Sequence, residues 1–440
     1  MPRQCSQKTS SKRNAAKKKT PPLPATTTPC PYAAFVGLDW ADREHEVARL
    51  DGETVYRHTL PQTPEDIEAW AGTLRDQFGG RPVALCIEQS QNGLMCALQK
   101  YPHLVLFPIN PAQADAYRKA FAHSGAKSDI ADAELLARYV REHHSRLRAW
   151  RPDTAETRQL ARTVELRRDL VEERKQTMQR ITALLKLYFP LALVIADEFS
   201  EKVMLALLAR WATHDEWKRA NPRTLKQIVS PFLKDEERCH ELVQRIRAAT
   251  PLTTDPAVIK PNALYLQTQL AKLPGLNQAI AEFEQQIAQL FNNHPDAPIF
   301  RSLYGAGEAL APRLLVALGT DRDRFQTADD LQSYSGIAPV TVQSGKSRDV
   351  RSRFACNKFL RQSFHEFADH ARKHCDWAKA FYQHKRAHGQ HHHAAVRALA
   401  FKWIRIIFRC WKNHSTYDDA QYTAQLRRKN VNYLPPLQTA

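Results

Sequence analysis

Four carboxylates in the first third of the chain, and one serine in its last third, have the residue types and surroundings for phosphodiester chemistry. Asp39 closes the apolar run Val36-Gly37-Leu38, and Glu88 closes Val83-Ala84-Leu85-Cys86-Ile87. Asp129 and Asp132 are three residues apart, a spacing that puts both on one face of a helix. Acids brought together without a counter-charge repel one another and resist ionisation. A divalent cation removes that conflict, and an all-oxygen donor set suits Mg²⁺ or Mn²⁺. Two such ions can clamp the attacking and leaving oxygens of a phosphodiester. Taken singly, each acid has a plainer reading, as a turn former or as a partner of a helix dipole. The nearby Asp42, Glu44 and Glu134 are read as solvated.

The serine is Ser344, in Gln343-Ser344-Gly345-Lys346-Ser347-Arg348. A serine hydroxyl is a weak nucleophile at neutral pH and needs activation. Gly345 permits a close backbone approach to a strand of DNA. Lys346, Arg348, Arg351, Arg353, Lys358 and Arg361 follow, opposed only by Asp349. That cluster suits phosphate binding and a charged transition state. Ser335 and Ser347 are the alternative nucleophiles. The plainer reading is a Ser-Gly loop on a basic surface that faces DNA. Covalent attack conserves the phosphodiester bond energy, so rejoining needs no ATP, and the chain has no P-loop sequence.

The elements that must position the acids are legible. Strands are predicted at Ala33–Asp39, Pro82–Glu88 and Leu104–Ile109, and a hairpin at Glu46–Leu50 and Thr54–Leu60 about the turn Asp51-Gly52. Helices are predicted at Pro64–Phe78, Gly93–Lys100, Pro111–Phe121 and Ser128–His143. This order predicts an α/β RNase H-like domain over residues 32–150. There the ends of the first and fourth strands are neighbours and the last helix packs beside them, so the four carboxylates converge on one cleft.

Further on, one long helix runs from Pro152 to Pro190 with Val164, Val171, Met178 and Leu185 seven residues apart. A second, over Asn262–Asn292, repeats the spacing with Leu266, Leu273, Ile280 and Ile287. The two predict coiled-coil helices, paired within one chain or between chains, inside a helical insertion over 151–297. Residues 191–261 suggest no function. Residues 298–414 read as a compact, mainly α-helical C-terminal domain, and 415–440 as a polar tail. Within the former, Gly305-Ala306-Gly307 resembles the turn of a helix-hairpin-helix element, whose N–H groups can hold a phosphate. Phe401, Trp403, Ile404, Ile407, Phe408 and Trp411 predict a core helix with a basic edge, with base stacking by the tryptophans as an option. His388, His391, His392 and His393 match no standard metal spacing and read as solvated or phosphate-facing.

Composition narrows the partners. The 440 residues suffice for two or three domains, and the formal net charge of +18 calls for a polyanion, most often nucleic acid. Residues 1–31 read as a disordered basic arm that screens phosphate charge, with seven Lys or Arg in the first twenty residues. No apolar run is long enough for a membrane span, and no secretory signal is seen. The eight cysteines form no CxxC pair, which argues against structural zinc and for reduced thiols in the cytoplasm.

Three stretches together resemble the DEDD transposases of insertion sequences that lack ordinary terminal repeats. They are Val36-Gly37-Leu38-Asp39 with Ile87-Glu88, then Lys127-Ser128-Asp129-Ile130-Ala131-Asp132-Ala133, then Ser335-Gly336-Ile337-Ala338-Pro339-Val340 with Gln343-Ser344-Gly345. The resemblance covers roughly residues 33–190 and 298–412. It implies a RuvC-like N-terminal domain in which Asp39, Glu88, Asp129 and Asp132 bind Mg²⁺ or Mn²⁺. It also implies a C-terminal transposase domain whose Ser344 forms a covalent link to DNA. The implied partners are donor and target DNA, a guide (bridge) RNA and further copies of the chain, as a dimer or tetramer, in the bacterial cytoplasm at the nucleoid, without a membrane. The alternative is a hydrolytic two-metal nuclease of the Holliday-junction type, with no covalent intermediate and Ser344 only a DNA contact.

Overall fold

The structure is a computed structural model that describes residues 30–88, 93–121, 129–345 and 347–434. The basic arm up to residue 29, Lys127, Ser128, Lys346 and the side chain of Arg348 lie outside the described residues. The chain divides between Pro152 and Asp153 into two compact units.

The first unit is built on β1 (Ala34–Asp39), β2 (Glu44–Asp51), β3 (Thr54–Pro61), β4 (Val83–Glu88) and β5 (Leu104–Ile109), with helices α1 (Pro64–Gln77), α2 (Gly93–Leu98), α3 (Pro111–Phe121) and α4 (Asp129–His143). The strands form one sheet in the order β3-β2-β1-β4-β5. β1 runs antiparallel to β2 and parallel to β4, and β5 is parallel to β4. β4 is apolar along its length because both of its faces are covered. Val83, Leu85 and Ile87 pack with Ile67, Trp70 and Leu74 of α1 and Leu94 of α2. On the other face, Ala84 and Cys86 pack with Leu136 and Val140 of α4. Gly52, at φ +61°, makes the predicted β2–β3 turn.

The second unit is helical. Its spine is α5 (Ala155–Tyr188), capped by Thr154, whose side chain accepts from Thr157 N. Next come α6 (Leu191–Glu198), α7 (Glu201–Arg210), α8 (His214–Arg219), α9 (Pro222–Val229) and α10 (Glu236–Ala248). They are followed by α11 (Pro256–Leu270), α12 (Lys272–Asn292), α13 (Ala297–Arg301), α14 (Gly307–Leu318) and α15 (Ala328–Tyr334). The hairpin β6 (Val340–Ser344) and β7 (Ser347–Arg351) precedes α16 (Lys358–His374), α17 (Asp376–Ala387), α18 (His392–Lys412) and α19 (Asp419–Arg428). The spine serves two cores. Leu160 and Val164 enter one with α14, α16 and α18, and Ile181, Leu185 and Tyr188 enter another with α6 to α11.

The helix expected at Asn262–Asn292 is two helices that meet at Ala271. Pro274 explains the break: it has no N–H for the Leu270 carbonyl, and its ring crowds that position. Between the two pairings left open for α5 and α12, the structure has them antiparallel within one chain. Thr157 bonds His294 at 3.0 Å, Arg167 meets Glu284 at 2.5 Å and Arg174 reaches Asn277 at 3.4 Å, so ascending residues on one helix match descending residues on the other. The stretch read as a polar tail carries α19 and contributes Tyr417 and Leu426 to a core. No helix among the described residues is long and apolar enough to cross a membrane.

Candidate functional site

Asp39 and Glu88 are the last residues of β1 and β4, which are paired in parallel up to Leu38 and Ile87. Their next positions therefore lie side by side at one edge of the sheet, and both residues are half-buried. The third element is brought there by Gly37. A methyl group at this position would collide with the Ala133 carbonyl and the Ala137 amide, and would lie 2.9 Å from Leu136 Cβ. Glycine alone allows α4 to lie directly on β1, and this brings the first turn of α4 toward the end of the strand that carries Asp39. A second anchor acts at the other margin of the helix. Glu134, read as solvated, is bonded by Arg57 of β3 and by Arg138, each at 2.6 Å. The Arg57 bond, with Arg138 second, holds this carboxyl below its ordinary range.

The two acids of α4 differ. Asp129, at the first position, is exposed, whereas Asp132 is buried. Asp132 is held by Arg118 of α3 in a bidentate pair, Nε to Oδ1 at 2.7 Å and Nη2 to Oδ2 at 3.0 Å. A guanidinium thus occupies both oxygens of one predicted ligand. Among the described residues, no three His, Cys, Asp or Glu side chains are arranged to hold a metal ion. The oxygen chemistry of the set suits a hard cation, and in this arrangement Arg118 takes up both oxygens of Asp132. Arg118 was not singled out from the sequence, and the pairing between two helices leaves no local signal.

In the second unit Ser344 ends β6 and pairs in register with Ser347 at the start of β7, leaving Gly345 and Lys346 between them. Gly345 has φ +54°, as a tight hairpin turn requires. Ser344 is therefore exposed at the tip of a two-stranded ribbon rather than in a loop, and Ser347 is exposed beside it. The alternative Ser335 is fully buried, with its hydroxyl donating to the Gln332 carbonyl at 3.2 Å. Of the predicted phosphate contacts, Arg351 is exposed and paired with Asp349 at 2.6 Å, and Lys358 is exposed at the start of α16. Arg353 and Arg361 are half-buried and brace the loop: Arg353 Nε donates to the Ala338 carbonyl at 3.4 Å, and Arg361 Nη1 to the Arg353 carbonyl at 3.3 Å.

Elsewhere in this unit, Gly305 and Gly307 both have positive φ, +82° and +54°, and open α14 as the sequence suggested. Trp403, Ile404, Ile407 and Trp411 of α18 are buried, with Arg405 and Arg409 exposed. Within the histidine cluster, His392 Nδ1 lies 2.9 Å from the Tyr382 hydroxyl.

Two family models match this chain, one for DEDD transposases over residues 36–190 and one for the IS116/IS110/IS902 transposase family over residues 297–383. Together they span more than half of it. The chain belongs to the IS110/IS116 transposase family. Its relatives include a mini-circle protein of Streptomyces coelicolor described as a transposase for IS117, 29% identical over 417 residues, or 89% of this chain and 97% of the relative. The 43.6 kDa protein of insertion element IS110 from the same organism is 27% identical over 402 residues, 87% of this chain and 95% of the relative. The pilin gene-inverting protein of Moraxella bovis is 38% identical over 93 residues, 20% of this chain and 29% of the relative. Membership makes the chain a DNA-cleaving and DNA-transferring enzyme. The first matched stretch contains all four acids, and the second contains Ser344.

Proposed function

We propose that this transposase performs site-specific cleavage and rejoining of donor and target DNA through a covalent phosphoserine at Ser344. In this reading it depends on Mg²⁺ or Mn²⁺ held by Asp39, Glu88, Asp129 and Asp132 of an RNase H-like domain over residues 32–150. The residues from 298 to 414 form the serine domain, and the helices between them are the insertion.

The observation that carries the serine assignment is its position: exposed at a hairpin tip, followed by a glycine at positive φ, with cationic side chains behind it. A nucleophile that must reach a phosphate within a duplex is best presented on such a projection. The strand order β3-β2-β1-β4-β5, with acids at the ends of β1 and β4, supports the RNase H-like reading. Full use of Asp132 as a ligand requires it to exchange Arg118 for a cation. The kinship to a protein named for gene inversion favours rejoining over hydrolysis, because inversion has to restore every strand it cuts.

Guidance by a bridge RNA, action as a dimer or tetramer, and work at the nucleoid in the cytoplasm belong to the same reading. They rest on the family resemblance, and a net charge of +18 suits two polyanionic partners. The test is a recombination assay with the element's own flanking sequences, comparing wild type, Ser344→Ala and Asp39→Ala, with and without ribonuclease. Loss of protein-linked DNA and of recombined product in both variants supports the reading. Continued recombination by Ser344→Ala removes the serine from it.

A further inference from the structure

Base stacking was an option for the tryptophans of α18, yet Trp403 and Trp411 are fully buried, as is Trp377 of α17. Among the described residues the most exposed aromatic ring is Phe354, 82% exposed, in the loop between β7 and α16. That loop is tied down on both sides of the ring. Before it, Arg397 of α18 donates to the Ser352 hydroxyl at 3.1 Å, and Arg353 bonds the Ala338 carbonyl as described. After it, Cys356 fills the space over Gly336, whose φ of +71° leaves any Cβ only 2.6 Å from Cys356 Cβ. Asn357 then caps α16 by accepting from Leu360 N at 3.2 Å. An exposed phenylalanine on a slack segment means little. On an anchored loop it is a preset platform, because no ordering of the loop remains to oppose binding.

The surroundings indicate what the platform takes. Val342 and Val350 are also exposed on the hairpin, while Arg351 and Lys358 present cations on either side of the loop. Protein–protein interface cores are depleted of charge, whereas single-stranded nucleic acid is held by an aromatic face for the base and cations for the phosphates. We propose that Phe354 stacks on an unpaired DNA base beside the hairpin that carries Ser344. The proposal rests on the reading of this chain as a DNA recombinase and adds to it. Strand exchange requires bases to leave their helix, and the ring would hold one of them while the neighbouring cations hold its backbone.

The test uses the full-length protein and a single-stranded DNA oligonucleotide containing 2-aminopurine, whose fluorescence is quenched on stacking. Wild type is expected to quench it. Phe354→Ala is expected to lose the quenching and bind about tenfold more weakly, with an unchanged melting temperature because the ring is exposed. Phe354→Trp is expected to restore both. Equal quenching and affinity in Phe354→Ala would overturn the proposal. So would unchanged DNA binding together with a smaller assembly by light scattering, which would make the ring a protein contact. Stronger quenching with the matching RNA than with DNA would overturn the choice of ligand. If wild type itself binds no DNA, the recombinase reading fails and the stacking falls with it.

Discussion

Arg118 and Asp132 form a two-point pair in which the carboxylate is buried, its side chain 7% exposed against 22% for the arginine. The guanidinium gives this buried carboxylate a positive neighbour and a hydrogen bond to each oxygen. It also blocks the two oxygens that a cation would use.

Removing one member of such a pair leaves an uncompensated buried charge, at a cost of about 3 kcal/mol. Arg118→Gln is therefore expected to lower the melting temperature in metal-free buffer. If Asp132 is a ligand, Mn²⁺ restores more stability to the variant than it adds to wild type, since a ligand that binds the folded state stabilises it. Melting curves with and without Mn²⁺ decide this. An identical Mn²⁺ response in both proteins would exclude Asp132 from the cation site.

Gly37 and Gly52 give a paired test of what holds α4 in place. Gly52, at φ +61° in the β2–β3 turn, has open space around it, so Gly52→Ala costs about 1 kcal/mol through backbone strain alone. Gly37→Ala forces a methyl group into the backbone of α4 and is expected to cost about 3 kcal/mol or more. Urea denaturation of the two variants measures the difference. Equal, small losses would mean that α4 does not depend on this approach.

Acid pH should loosen the second anchor. The Glu134 carboxyl is held below its ordinary value by Arg57 and Arg138. A depressed folded value means that its contribution is fully present above the unfolded value, about 4.3, and is lost as pH falls through the folded one. The stability difference between wild type and Glu134→Gln should thus be largest near neutrality and shrink below about pH 4. A difference that does not change with pH, followed by thermal melts, would remove the ion pair as its cause.

Much of the first unit was legible because its signals are local. Apolar runs of five or six residues, the Asp51-Gly52 turn and the Asp129/Asp132 spacing need no knowledge of distant partners. The long helix α5 was legible for the same reason. The β6–β7 hairpin was not, since its strands are short and exposed, with only Val340 and Val342 alternating in β6, and Gly345 was read only as a point of close approach. The Arg118–Asp132 pair joins two helices through a packing choice that no spacing records. The break at Ala271 was available in Pro274, but the heptad spacing of Leu266, Leu273 and Ile280 masked it.

Ser344 and Ser347 face each other across the hairpin, both exposed, while Ser335 is buried. The most direct test of the central claim is therefore to trap the protein–DNA adduct, digest both components and locate the phosphorylated residue by mass spectrometry. A single nucleotide-modified peptide is expected, with the modification on Ser344 and absent from Ser344→Ala. Modification of Ser347, or cleaved DNA with no adduct at any serine, would contradict it.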